Sequence, residues 1–189
     1  MPSLPAVTDE GRTYTFKLRD NLQWHDGAKV TSQDVLFTIQ TVTDGDFSGD
    51  QLLAEGWRGA EFEVPDERTF IVHLSQASAP FLARSATIGI LPEHLLGSVP
   101  IRDLSDASFN ANPVGTGPYR VEALDSREAR LVAFDQYHLG RPGIQNLTLR
   151  FYADEASATR ALQGGDVSGL FIRNAPTKGQ LSDLKSVKD

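Results

Sequence analysis

Four histidines, at positions 25, 73, 94 and 138, are the side chains of this sequence best suited to metal or acid–base chemistry. Their spacing supports neither, because no two stand at the interval of an HExxH helix or of another two-ligand motif. Each reads more simply as a surface or turn residue, with His25 belonging to a turn beside Asp26. Glu61 and Glu63 share one face of an expected strand. That is the geometry of paired carboxylates for acid–base hydrolysis, and equally of a solvated strand face. Ser48 lies in Gly45-Asp46-Phe47-Ser48-Gly49, which is not the Gly-x-Ser-x-Gly of a nucleophile elbow. Gly115-x-Gly117 invites a phosphate-loop reading, but a dinucleotide fingerprint needs a third glycine where Arg120 stands, and Pro118 removes a backbone donor. A tight structural connection fits better, with glycine for unusual φ and proline for stiffness. Asn146-Leu147-Thr148 matches a glycosylation sequon, a short and common pattern that carries little weight. Trp57 and Phe47 stand in a glycine-rich stretch. Either ring suits stacking on a ligand, and either would also serve as a plug over an apolar core.

Composition narrows the classes further. The 189 residues suffice for one sizeable core or two small ones, and 40% hydrophobic with 23% charged residues is ordinary for a globular protein. A net charge of −7 without a basic cluster disfavours nucleic acid as a partner. The absence of cysteine excludes disulfides, thiolate metal sites and a cysteine nucleophile. No cofactor is expected. No apolar stretch approaches the roughly 20 residues of a membrane span. The first twelve residues lack the charged and apolar regions of a secretory signal.

The elements that must position these residues follow from periodicity. Tyr14, Phe16 and Leu18 alternate with Thr15, Lys17 and Arg19, which predicts a half-buried strand over 14–19 after an irregular lead. Asp26-Gly27 supplies a tight turn. Thr31 and Asp34 have capping-box spacing, and Val35, Leu36, Ile39 and Val42 follow on one helical face. Strands at 61–64 and 69–74 flank Pro65-Asp66-Glu67-Arg68, which reads as a hairpin turn. Pro80 and Pro92 open short helices, and 98–113 is mostly loop. Strands are expected at 119–124, 130–134 and 147–152. A helix over 154–163 with an Asp cap ends at Gly164-Gly165. A last strand at 167–172 precedes a weakly ordered tail over 173–189.

Taken in order, four motifs resemble the family 5 extracellular solute-binding proteins, the dipeptide-, oligopeptide- and nickel-binding group that feeds ABC importers. They are the aromatic strand and His25-Asp26-Gly27 turn leading to Thr31-x-x-Asp34-Val35; Leu91-Pro92-Glu93-His94-Leu95-Leu96; Asn112-Pro113-Val114-Gly115-Thr116-Gly117-Pro118-Tyr119; and the helix running from Asp154 to Gly165-Asp166-Val167. The resemblance implies a mixed α+β or α/β fragment of a two-lobed periplasmic-binding-protein-like fold. Residues 1–112 would form most of the small inserted lobe and 113–172 part of the hinge-proximal lobe, with Gly115, Thr116, Gly117, Pro118 and Tyr119 where the chain passes between them. It implies capture of a peptide or another small solute by lobe closure, with no enzymatic chemistry. It also implies docking on a membrane ABC permease, at the periplasmic or extracellular face. Relatives are exported and longer, so the sequence is expected to begin partway into the family's length and stop early. Trp57 and Phe47 lie in the loop that is near the ligand cleft in peptide-binding relatives. A ligand-sensing domain of a transcription regulator and a carboxylate-based hydrolase are the readings from other classes. Strands whose cover is missing would favour self-association.

Overall fold

The computed structural model describes residues 4–85, 88–171 and 179. The chain divides into two compact units, Met1–Leu124 with Arg130–Leu147, and Asp125–Ala129 with Thr148–Asp189.

The first unit is built on an antiparallel sheet of four strands: β1 (Ala6–Thr8), β2 (Thr13–Lys17), β3 (Glu61–Asp66) and β4 (Thr69–His73), in the order β1-β2-β4-β3. The expected alternation is present in β2, where Tyr14 is buried and Phe16 packs against the core while Lys17 is exposed. The lead before it is not irregular. Ala6 and Val7 pair with Thr15 and Tyr14, making β1 an edge strand. All three of its residues are exposed, so no period-2 pattern announced it. Its connection to β2 runs through Asp9, Glu10 and Gly11 at φ 51°, 55° and 88°. Two non-glycine residues in the left-handed region cost backbone strain, which the Arg12–Asp9 ion pair at 2.6 Å helps offset.

Pro65 lies within β3 rather than in the following turn, which is confined to Glu67 and Arg68. A proline cannot donate to a ladder, and here it sits on an edge strand where the β3–β4 register shifts between Glu63 and Asp66. Helix α1 (Ser32–Thr43) begins at the Thr31–Asp34 capping box and covers the sheet through Ile39, Val35 and Leu36. Tyr14, Ile39, Trp57, Phe70, Val72 and Phe81 form the core, with Tyr14 and Trp57 packed on Phe81 at ring separations of 4.8 and 5.2 Å. Short helices α2 (Phe81–Ser85) and α3 (Glu93–Leu96) follow their prolines as expected. The stretch 98–113 contains 3-10 turns at Ile101–Asp106 and Ser108–Asn110.

Strands β5 (Tyr119–Leu124), β6 (Glu128–Ala133) and β7 (Asn146–Arg150) form a sheet in that order. In the second unit, helix α4 (Glu155–Gln163) starts where Asp154 accepts the Ser157 N–H at 2.7 Å. It is followed by Gly165 at φ 77°. Residues 167–171 form no strand. Their apolar residues Val167, Leu170 and Phe171 find no ladder, and Phe171 is 93% exposed. Ile172 and the tail at 173–189 fall outside this description, apart from Gly179.

Candidate functional site

The segment Asn21 to Thr31 folds back on itself through local hydrogen bonds. Trp24 N–H donates to the Ala28 carbonyl at 2.8 Å and Gly27 N–H to the Trp24 carbonyl at 2.9 Å. Gly27 takes φ 91°, as the Asp-Gly dipeptide predicts. The reversal leaves Trp24 fully inside and His25 half-buried.

His25 does more than complete a turn. Its backbone N–H donates to the Gly115 carbonyl at 2.9 Å. Gly115 N–H returns a hydrogen bond to His25 Nδ1 at 3.1 Å, and His25 Nε2 lies 3.0 Å from the Gly117 carbonyl oxygen. The ring also packs edge-on against Phe134, at 5.0 Å. Phe134 N–H in turn donates to the Pro118 carbonyl at 2.9 Å, and Tyr119 Oη to the Ile144 carbonyl at 3.0 Å. The connection Gly115-Thr116-Gly117-Pro118-Tyr119 is therefore held at several points. Neither Gly115 nor Gly117 adopts positive φ, so the expected reason for glycine is corrected. A Cβ at Gly115 would lie 3.4 Å from His25 Cε1, at the near end of ordinary van der Waals contact, so the imidazole stands against this glycine without requiring it. No neighbour lies within 4 Å of the corresponding point at Gly117.

A second set of contacts surrounds the same turn. Asp26 Oδ2 lies 2.7 Å from His94 Nε2, joining the turn to α3. Burial alone would raise the Asp26 pKa. The hydrogen bond from His94, the Ala28 N–H and the nearby His94 charge together hold it below its ordinary value. Behind them, the buried Asp34 carboxylate accepts Thr31 N–H at 2.8 Å, Glu93 N–H at 2.9 Å and Trp24 Nε1–H at 3.4 Å. Thr38 Oγ1 accepts Leu91 N–H at 2.7 Å and donates to the Asp34 carbonyl at 2.7 Å. The Thr-x-x-Asp spacing was legible as a cap. Its extension to Trp24 and to the 91–93 segment was not, because no local pattern encodes partners 53 and 59 residues away.

The other expected site residues are placed as follows. Trp57 is 5% exposed, within the core, and Phe47 is half-buried with its ring over Gly49. Glu61 and Glu63 are exposed, and Glu63 pairs with His73 at 2.7 Å while Thr13 Oγ1 lies 3.2 Å from the other imidazole nitrogen. His138 packs edge-on against Tyr137 at 4.6 Å. Each of the four histidines thus contacts protein groups. Among the described residues no three His, Asp or Glu side chains gather as a metal site, and no helix is long and apolar enough to cross a membrane.

Comparison with known proteins gives this arrangement a context. The family model "Bacterial extracellular solute-binding proteins, family 5 Middle" matches residues 3–189. A peptide-binding protein of an ABC transporter from Brucella ovis is 33% identical over 168 residues, which cover 88% of this chain and 32% of that protein. The oligopeptide-binding protein AppA of Bacillus subtilis is 29% identical over 191 residues, covering 96% and 34% of the two chains. The solved structure of AppA with a nonapeptide superposes with a TM-score of 0.78 at 28% identity, covering 86% of this chain and 33% of AppA. NikZ of Campylobacter jejuni, solved with Ni(L-His), gives a TM-score of 0.77 at 26% identity, covering 88% and 34%. The chain spans about a third of the length of these proteins. By a match that runs through nearly all its residues, it belongs to the bacterial extracellular solute-binding proteins, family 5.

Proposed function

We propose that this chain is part of the substrate-binding component of an ABC importer, which captures a peptide or similar small solute between closing lobes and delivers it to a membrane permease. The observation that carries the reading is the family match over residues 3–189, joined to the structural likeness to AppA, which was solved with a nonapeptide bound. Solute capture would take place at the periplasmic or extracellular face, as the family description implies, and no catalysis is assigned. Residues 1–112 are assigned to the small inserted lobe and 113–172 to the hinge-proximal lobe. Gly115 to Tyr119 pass between the lobes and set the hinge. In the 43–60 loop we assign Phe47, which is half-buried, as the contact to solute. Trp57 supports that loop from the core side and fixes where Phe47 is presented.

Closure of this kind is driven by the solute's better contacts with the closed state, and burial from both sides supplies the affinity. One side alone therefore binds weakly. Titration calorimetry with peptides of two to nine residues, and with nickel–histidine, tests the proposal. The product of the whole gene is expected to bind one of these solutes, and this chain alone none of them tightly. A submicromolar constant for this chain alone places the whole site inside these residues. A whole-gene product that binds none of them, but turns over a substrate, overturns the function.

A further inference from the structure

The contacts of His25 determine more than its position. Gly115 N–H can only donate, so Nδ1, which receives it at 3.1 Å, carries no proton. The Gly117 carbonyl can only accept, so Nε2, at 3.0 Å, must carry one. With the backbone hydrogen bond from His25 N–H to the Gly115 carbonyl, one residue makes three directed contacts to a loop 90 residues away. The two ring contacts require opposite roles on the two nitrogens, and only the neutral Nε2-protonated imidazole meets both.

We propose that His25 is a positioning residue, held in the Nε2-protonated tautomer, that clamps the Gly115–Gly117 connection. The backbone bond alone fixes Gly115 at one point. Adding the two ring contacts fixes the loop at both glycines, and Phe134 keeps the ring from turning away by packing against its edge. A side chain at 115 would start 3.4 Å from Cε1, in van der Waals contact with the ring. Any consequence for lobe closure rests on the assignment of this connection to the hinge; the clamp itself does not.

The direct test is nitrogen-15 NMR of the imidazole in this chain without substitution. The expected signature is a bare Nδ1 and a protonated Nε2 for His25. The opposite tautomer, or an averaged spectrum, overturns the proposal. Amide exchange gives the second reading. His25→Phe keeps the ring against Phe134 but removes both nitrogens, and Gly115 N–H is expected to exchange about tenfold faster or more, while Phe70 and Val72 in the core stay protected. His25→Asn sets an amide oxygen near the place of Nδ1 and is expected to restore most of the Gly115 protection. His25→Gln, which reaches instead toward Gly117, is not. Equal Gly115 protection in all four proteins overturns the clamp. Should His25→Phe lose the core protection as well, the tautomer of the unsubstituted protein decides. Solute affinity of the whole-gene product carrying His25→Phe reads the hinge separately: unchanged affinity with Gly115 deprotected retains the clamp and removes the hinge assignment.

Discussion

Gly27 stands at φ 91° with nothing within 4 Å of where a Cβ would be, so a substitution there meets backbone strain and no crowding. Gly27→Val should destabilise by about 1–3 kcal/mol, because a β-branched residue is disfavoured in that region. Gly27→Asn should cost less, since asparagine visits left-handed φ more readily. Urea melts of the two variants compare them directly, and equal stability would detach the turn from its glycine. This feature was legible because an Asp-Gly turn is a matter of two adjacent residues. The part played by His25 was not. Its ring is oriented by Gly115, Gly117 and Phe134, which are distant in sequence, and a histidine beside a turn looks the same whether or not such partners exist. Gly115 misled for a related reason: a glycine permits unusual φ without announcing that it adopts one, and Gly115 does not.

A single carboxylate joins elements that periodicity treats as independent. Asp34 is 4% exposed, and its two oxygens serve the start of α1, the start of α3 and the indole of Trp24. Asp34→Ala would leave two backbone donors and an indole N–H without that acceptor, at a cost of about 3 kcal/mol or more. Asp34→Asn keeps the shape but turns one acceptor into a donor that faces a backbone N–H, so it should recover less than half of that loss. A urea melt in which Asp34→Asn matches the unsubstituted protein would mean that only one of the two oxygens matters. Helix α1 and the β3–β4 hairpin were readable because their apolar spacing and turn chemistry are local. Strand β1 was hidden by its full exposure, and Pro65 was drawn into a turn because the bulge that accommodates it depends on the neighbouring strand. The expected strand at 167–172 shows the converse over its described residues, 167–171: β-branched and aromatic residues without a partner make no ladder.

For the molecule as a whole, the apolar side chains of the later strands are unevenly covered. Phe134 is buried, and Val121 and Leu131 are half-buried, so the expectation that these lose their cover holds only in part. Leu149 and Phe151 are 46% and 50% exposed, and β7 is an edge of its sheet. An edge strand carrying exposed leucine beside an exposed phenylalanine is a template for pairing with a second copy. This chain is therefore expected to self-associate at micromolar concentration, which light scattering would read as a mass above the 20.6 kDa of one chain. Replacing Leu149 by Thr and Phe151 by Ser keeps residues compatible with a strand while removing most of the apolar surface, and should shift the population toward monomer. The core amides of Phe70 and Val72 provide a control, because they lie in the four-stranded sheet of the first unit and should keep their protection in the double variant. A strictly monomeric parent would show that the exposed edge is insufficient to drive association. A parent that associates to the same extent as the double variant would place the contact elsewhere on the chain.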